Sequence, residues 1–177
     1  MSEQAFPPED PGSFLSLCDG EWMSLRSCFE LAAGGDDEWH SSERGELTVR
    51  CVSEQGALGQ LQVQAPGGTS STLTFAADGQ LILDGDSPGN WRFWPDGSME
   101  LNLSRADGVK VQERTWFTRA NLRPRSTTAV DAQGTPVQGS FCTDIRRVST
   151  SAALGGMSPH PLARVRLPPT PIPPPPA

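Results

Sequence analysis

ERTWFTRANLRPRSTT, residues 113–128, is the stretch on which the fold turns. Side chains alternate between the two faces of a strand. Leading into it, Val109, Val111, Glu113, Thr115 and Phe117 share one face. That face is mostly apolar, so it points to a core, and it carries one carboxylate. Past a short turn near residues 118–120, Arg123, Arg125 and Thr127 share a face of a second strand. Paired as a hairpin, the strands set Glu113 almost opposite Arg125, with Arg123 next along.

Outward from this hairpin the same pattern repeats. Short alternating runs occupy 21–31, 46–53, 59–64, 71–75, 80–83, 90–94, 98–105 and 139–148. With 109–117 and 122–130 they make about ten strands. Turn signals separate them: Gly34-Gly35, Pro66-Gly67-Gly68, Asp78-Gly79, Asp84-Gly85, Asp96-Gly97 and Asp107-Gly108. One short helix is expected at 13–18, where Phe14, Leu15, Leu17 and Cys18 cover one end of a core. Many short strands at even spacing, with no crossover helix, predict an all-β, antiparallel up-and-down sheet closed into a barrel. Closure removes the exposed edges that such a sheet otherwise carries.

Length and charge bound the rest. A chain of 177 residues fits one domain, placed at 12–148, between an acidic, Pro-rich tail at 1–11 and a Pro-rich tail at 149–177 ending in PPTPIPPPPA. The net charge is −7, and all 21 acidic residues precede Ser149. Nucleic acid and anionic membrane are therefore poor partners, because both require a basic surface. No apolar run is long enough to span a membrane, and the N-terminus lacks a secretory signal, so a cytoplasmic location is expected. The four cysteines, Cys18, Cys28, Cys51 and Cys142, form no CxxC pair and have only two histidines for company. They read as reduced, mostly buried thiols, and no metal site is expected.

The inward charges carry the chemistry. One reading is a buried ion-pair network that fixes strand register. The other takes two arginines beside one carboxylate as an excess of positive charge for an anionic ligand, held by a bidentate guanidinium. Barrels of this size hold one small ligand. Trp22, Ser24, Arg26 and Cys28 share a face. Trp22 either stacks on a flat ligand or plugs the core, and Arg26 supplies a further cation. Ser140, Cys142, Asp144 and Arg146 share another face, where Asp144 is a second acid or an arginine's partner. Either Trp91 or Trp94 is expected to face inward, but not both. No nucleophile elbow or phosphate loop is present, and no histidine is placed beside a nucleophile.

Three blocks resemble the S/U-type phycobiliprotein chromophore lyases, the CpcS/CpeS-like family. DGEWMSLRS at 19–27 is similar to its G-x-W-x-S-x-R-S. Residues 113–128 are similar to E-R-x-W-F-x-x-x-N-L-R-x-R-x-S/T, and SFCTDIRR at 140–147 to A-S-F-C-S-E-I-R. The resemblance implies a ten-stranded, lipocalin-like (calycin) barrel. It implies a phycobilin as substrate rather than a prosthetic group: phycocyanobilin or phycoerythrobilin. It further implies enzymatic transfer to a cysteine of a phycobiliprotein α or β subunit. On that resemblance Glu113 and Asp144 are the catalytic acids, one or the other lying near the pyrrole nitrogens, and Arg26, Arg123 and Arg125, with Thr127 and Trp22, bind the ligand. VQAPGGTSSTLTF at 63–75 lacks the tryptophans of the family's V-S-W-x-G-T-M-x-W. That departure resembles the U-type members, some of which act with an S-type partner, so a homodimer, a heterodimer or a non-catalytic bilin carrier is a further expectation.

Overall fold

The computed structural model describes residues 6–31 and 39–147. It begins with α1 (Pro11–Cys18), two residues ahead of the expected start. Asp10 caps it, accepting from the Ser13 amide at 2.9 Å, and Pro11 suits a first turn whose N–H has no helical partner. Phe14, Leu15, Leu17 and Cys18 are buried, closing one end of the barrel.

Ten strands follow: β1 (Gly20–Glu30), β2 (His40–Val52), β3 (Gly59–Gln64), β4 (Ser70–Phe75), β5 (Gln80–Leu83), β6 (Ser87–Phe93), β7 (Met99–Ser104), β8 (Lys110–Thr115), β9 (Leu122–Val130) and β10 (Pro136–Arg146). Each pairs antiparallel with its sequence neighbours, and β10 closes on β1 as an up-and-down barrel. The turns are set by local chemistry. In the β6–β7 turn Asp96 accepts from the Ser98 amide at 3.0 Å, while Gly97 takes φ 79°, a left-handed value that favours glycine.

Several strand details differ from the sequence reading: β6 and β10 each start three residues early, at Ser87 and Pro136. β2 starts at His40, six residues early, because HSSERG has no apolar alternation to reveal it. Those residues pair with β1, as in Arg26↔Glu43 and Cys28↔Ser41, while β3 joins only from Thr48 onward. The β8–β9 register is also shifted by two. Glu113 lies opposite Thr127, and Thr115 opposite Arg125, because the turn is centred one residue later than expected. Trp116 donates to the Pro124 carbonyl at 3.1 Å, but proline has no N–H to return, and β8 ends at Thr115.

The core lies between α1 and the barrel floor. The Phe14 ring sits 5.2 Å from that of Phe117 and 6.1 Å from that of Phe93, both edge-on. Trp91 turns inward against Phe75 and donates to the Ala76 carbonyl at 2.9 Å. Trp94 is turned away, held between the guanidiniums of Arg92 and Arg114.

The candidate site in the barrel interior

A cavity of about 230 Å³ runs up the barrel. Its floor is made by buried Phe14, Leu15 and Cys18, while Val63, Leu103 and Val111 on its upper wall are only half-buried. The cavity therefore opens at the end away from α1. β2 to β5 and β7 line it mostly with aliphatic and aromatic side chains, and β8 and β9 bring Glu113, Arg123 and Arg125.

The charges form one bonded group. Asp144 on β10 lies beside Arg123 on β9 and beside Ser24 on β1. Arg123 donates from Nε and Nη2 to Asp144 Oδ2 at 3.1 and 2.9 Å. Arg125 donates from Nε to Oδ2 at 2.8 Å and from Nη2 to Oδ1 at 3.3 Å. Asp144 is fully buried and does not reach the cavity. Burial opposes its charge, but Arg125 and then Arg123, with hydrogen bonds from Arg125 and Ser24, outweigh that. The carboxyl is held below its ordinary 3.8. Burial likewise opposes the charge of Arg125, yet Glu113 and Asp144 on either side raise its pKa.

Glu113 is held more loosely. It accepts from Thr127 Oγ1 at 3.2 Å, Thr115 Oγ1 at 3.4 Å and Arg125 Nη1 at 3.5 Å. Its side chain is 25% exposed and lines the cavity. It is thus the acid available to a guest, while Asp144 is spent on the two arginines.

The expected excess of positive charge at this cluster is not what forms. Two acids match two arginines. The inward cation without a hydrogen bond or ion pair among the described residues is Arg26. It stands one strand from Cys142, in the same cross-sheet row as Arg125, with Glu43 opposite on β2. Trp22 is fully buried behind this group and outside the cavity lining. Its ring lies 4.7 Å from the Arg123 guanidinium carbon and 4.1 Å from that of Arg146, and its Nε1 donates to the Cys18 carbonyl at 3.0 Å. Its place is that of a plug rather than a stacking surface.

Sequence reasoning passed over Arg146 as a site residue. Its guanidinium binds the Leu17, Asp19 and Ala120 carbonyls and so ties the helix end to β10 and the β8–β9 turn. The sign of it was Gly20, where any Cβ would overlap the Arg146 guanidinium. The thiols of Cys18 and Cys142 are pushed up by burial, against the opposing pull of Arg123 and Arg125 respectively. They are thiols, not thiolates, at neutral pH.

A closed antiparallel barrel with an apolar cavity, open at one end and charged along one wall, defines a small-ligand-binding barrel of the calycin kind. Comparison with known proteins narrows the class. Residues 86–147 match the family model described as CpeS-like protein. A chromophore lyase CpcS/CpeS 1 of Paulinella chromatophora is 43% identical over 145 residues, covering 81% of this chain and 92% of its own. A second, from Trichodesmium erythraeum strain IMS101, is 28% identical, covering 77% of this chain and 97% of its own. The solved S-type phycobiliprotein lyase CpeS of Guillardia theta has the same fold, with a TM-score of 0.66 at 21% identity over 77% of this chain and 92% of its own. The chain belongs to the CpcS/CpeS chromophore lyase family.

Proposed function

We propose that this protein is a bilin lyase: it binds an open-chain tetrapyrrole and assists its thioether attachment to a cysteine of a phycobiliprotein α or β subunit. The observation that carries the reading is Glu113, an acid on the wall of an apolar cavity, backed by Arg125. The relatives named chromophore lyases support it.

The cavity, at about 230 Å³, is smaller than the roughly 300–1,000 Å³ of most ligand sites. Part of a phycobilin therefore enters, and the rest extends past the mouth, along the β1–β2 hairpin that carries Arg26. Arg26 and the cavity edge of Arg125 suit the two propionates. Glu113 accepts from pyrrole N–H groups and favours the protonated ring system, with Thr127 holding it in place. Asp144 acts through Arg123 and Arg125 and does not touch the guest, whereas Arg123 shares the cavity lining with Arg125. The acceptor thiol adds across the exocyclic double bond. A carbon–sulfur bond forms, the π pair moves into the ring system, and the thiol's proton ends on the bilin. No oxidant is consumed. The protein contributes position and a proton contact, while the nucleophile belongs to the acceptor.

Such a reaction belongs in the cytosol, and the substrate is phycocyanobilin or phycoerythrobilin. The wall of smaller side chains at Val63, Ser71 and Leu73, where the family pattern is rich in tryptophan, favours a second reading: a bilin-binding partner that works as a dimer with an S-type lyase. Co-expression with a bilin source and apo-phycobiliprotein subunits tests both, read as a zinc-fluorescent adduct. The first reading expects adduct with this protein alone; the second expects bilin spectra without adduct until an S-type lyase is added. Glu113→Gln lowers the transfer rate about a hundredfold in a folded barrel; an unchanged rate removes Glu113 from the mechanism.

A further inference from the structure

The outside of this barrel is not uniform. On β3 the outward side chains are Gln60, Gln62 and Gln64, the polar alternation expected of a wall facing water. On β1, past Glu21, which pairs with Arg50, they are Met23, Leu25, Ser27 and Phe29, and across from them on β10 stand Ile145, Thr143 and Phe141. Among the described residues, four of the five most exposed large hydrophobic side chains lie on this wall or on the hairpin that extends it: Leu31 at 57%, Trp39 at 56%, Phe141 at 46% and Leu25 at 39%. The rings cluster in two groups. Trp116 sits 6.1 Å from Phe141, and Phe29 sits 5.8 Å from Trp39. Contiguous exposed apolar surface of this kind marks an interaction site.

The charges beside it say what it meets. The chain as a whole is −7. Yet Arg44 stands directly opposite Leu25, and Arg119 is bridged to Leu122, whose strand neighbour is Ile145. Both arginines are exposed, and neither makes an ion pair among the described residues. The nearby acid Glu46 is already taken by Arg147. An apolar centre with two unspent cations fits an acidic protein surface. A second copy fits poorly: face to face, it brings the same arginines toward each other. The wall also runs up to the mouth, since Arg26 and Cys28 occupy the inner face of the strand whose outer face carries Leu25 and Phe29.

We infer that the β1–β10 wall is the docking surface for the acceptor protein, meeting an acidic patch on it and seating its cysteine beside the bilin at the mouth. This rests on the bilin lyase reading. Two double variants test it, Leu25→Ser with Phe141→Ser, and Arg44→Glu with Arg119→Glu, all at exposed positions outside the cavity. The probes are recombinant apo-phycocyanin and apo-phycoerythrin subunits. Each variant should raise the acceptor KM about tenfold and keep both kcat and the bilin absorbance titration of the unaltered protein. The charge variant should also lose most of the salt dependence of KM. Unchanged KM in both variants, with transfer intact, overturns the docking surface and leaves the lyase reading standing. Dimer-to-monomer conversion by sedimentation, with KM unchanged, assigns the wall to a second copy and overturns it equally. If removing residues 149–177 lowers KM and the wall variants then have no effect, the wall belongs to that segment instead. If the unaltered protein neither shifts a bilin spectrum nor forms adduct, the lyase reading falls, and the docking surface with it.

Discussion

The two halves of the barrel interior are built on opposite principles. β2 to β7 present Leu47, Val49, Leu61, Phe75, Leu81 and Met99, all buried, which hold shape by excluding water. β8, β9, β10 and β1 present Glu113, Arg125, Arg123, Asp144 and Ser24, which hold shape by satisfying one another. Among the described residues no buried side-chain polar atom lacks a partner. The contrast teaches where a barrel can host chemistry. An aliphatic wall tolerates small changes by relaxing, whereas a charged wall fails as a unit, because removing one member strands the others in low dielectric.

The comparison breaks most sharply at Asp144. Asp144→Asn takes the negative charge from between buried Arg123 and half-buried Arg125 and should cost about 3–5 kcal/mol of unfolding free energy in a denaturant titration. Glu113→Gln, nearer solvent, should cost about 1 kcal/mol or less. Equal losses at both positions would refute the distinction between anchored and available acid.

Acid should expose the same difference. The folded Asp144 pKa lies below 3.8. Its stabilisation is therefore complete above that value and is lost as pH falls through the folded pKa. Thermal midpoints should drop on acidification from about pH 5 to about pH 2, and Asp144→Asn should flatten part of that drop. A curve identical to the parent's rules Asp144 out as the titrating group.

On the aliphatic wall, Leu103→Trp places a large ring into the upper cavity. The strain should stay near 1 kcal/mol because this side chain is only half-buried. Bilin uptake, read by absorbance, should be lost all the same. The smallest effect on folding belongs to Arg26. Arg26→Ala should change stability by less than about 0.5 kcal/mol and weaken bilin binding about tenfold. Retained affinity would mean that the propionates are held elsewhere.

Much of this was legible in one dimension. Period-two alternation with Asp-Gly turns marked the strands, and β3, β5 and β9 fall at their expected bounds. The helix was visible from Phe14, Leu15, Leu17 and Cys18. What escaped was polar on both faces: the first half of β2 carries no alternation to read. The facing of Glu113, Arg123, Arg125 and Thr127 was also legible, because alternation assigns a side. Their pairing was not, since moving the turn's centre by one residue moves the register by two and leaves every side chain on its face.

Asp144 shows the boundary most clearly. As a letter in SFCTDIRR it was equally a second acid or an arginine's partner. Its neighbours come from β9 and β1, at 21 and 120 residues' remove, and only barrel closure brings them to one point. Alternation is a local property of the backbone, so the string alone supplied the strands and their inward faces. Which charges neutralise each other, and which remain for a guest, depends on through-space distances across strands that are far apart in the chain. That was decided by the closed sheet.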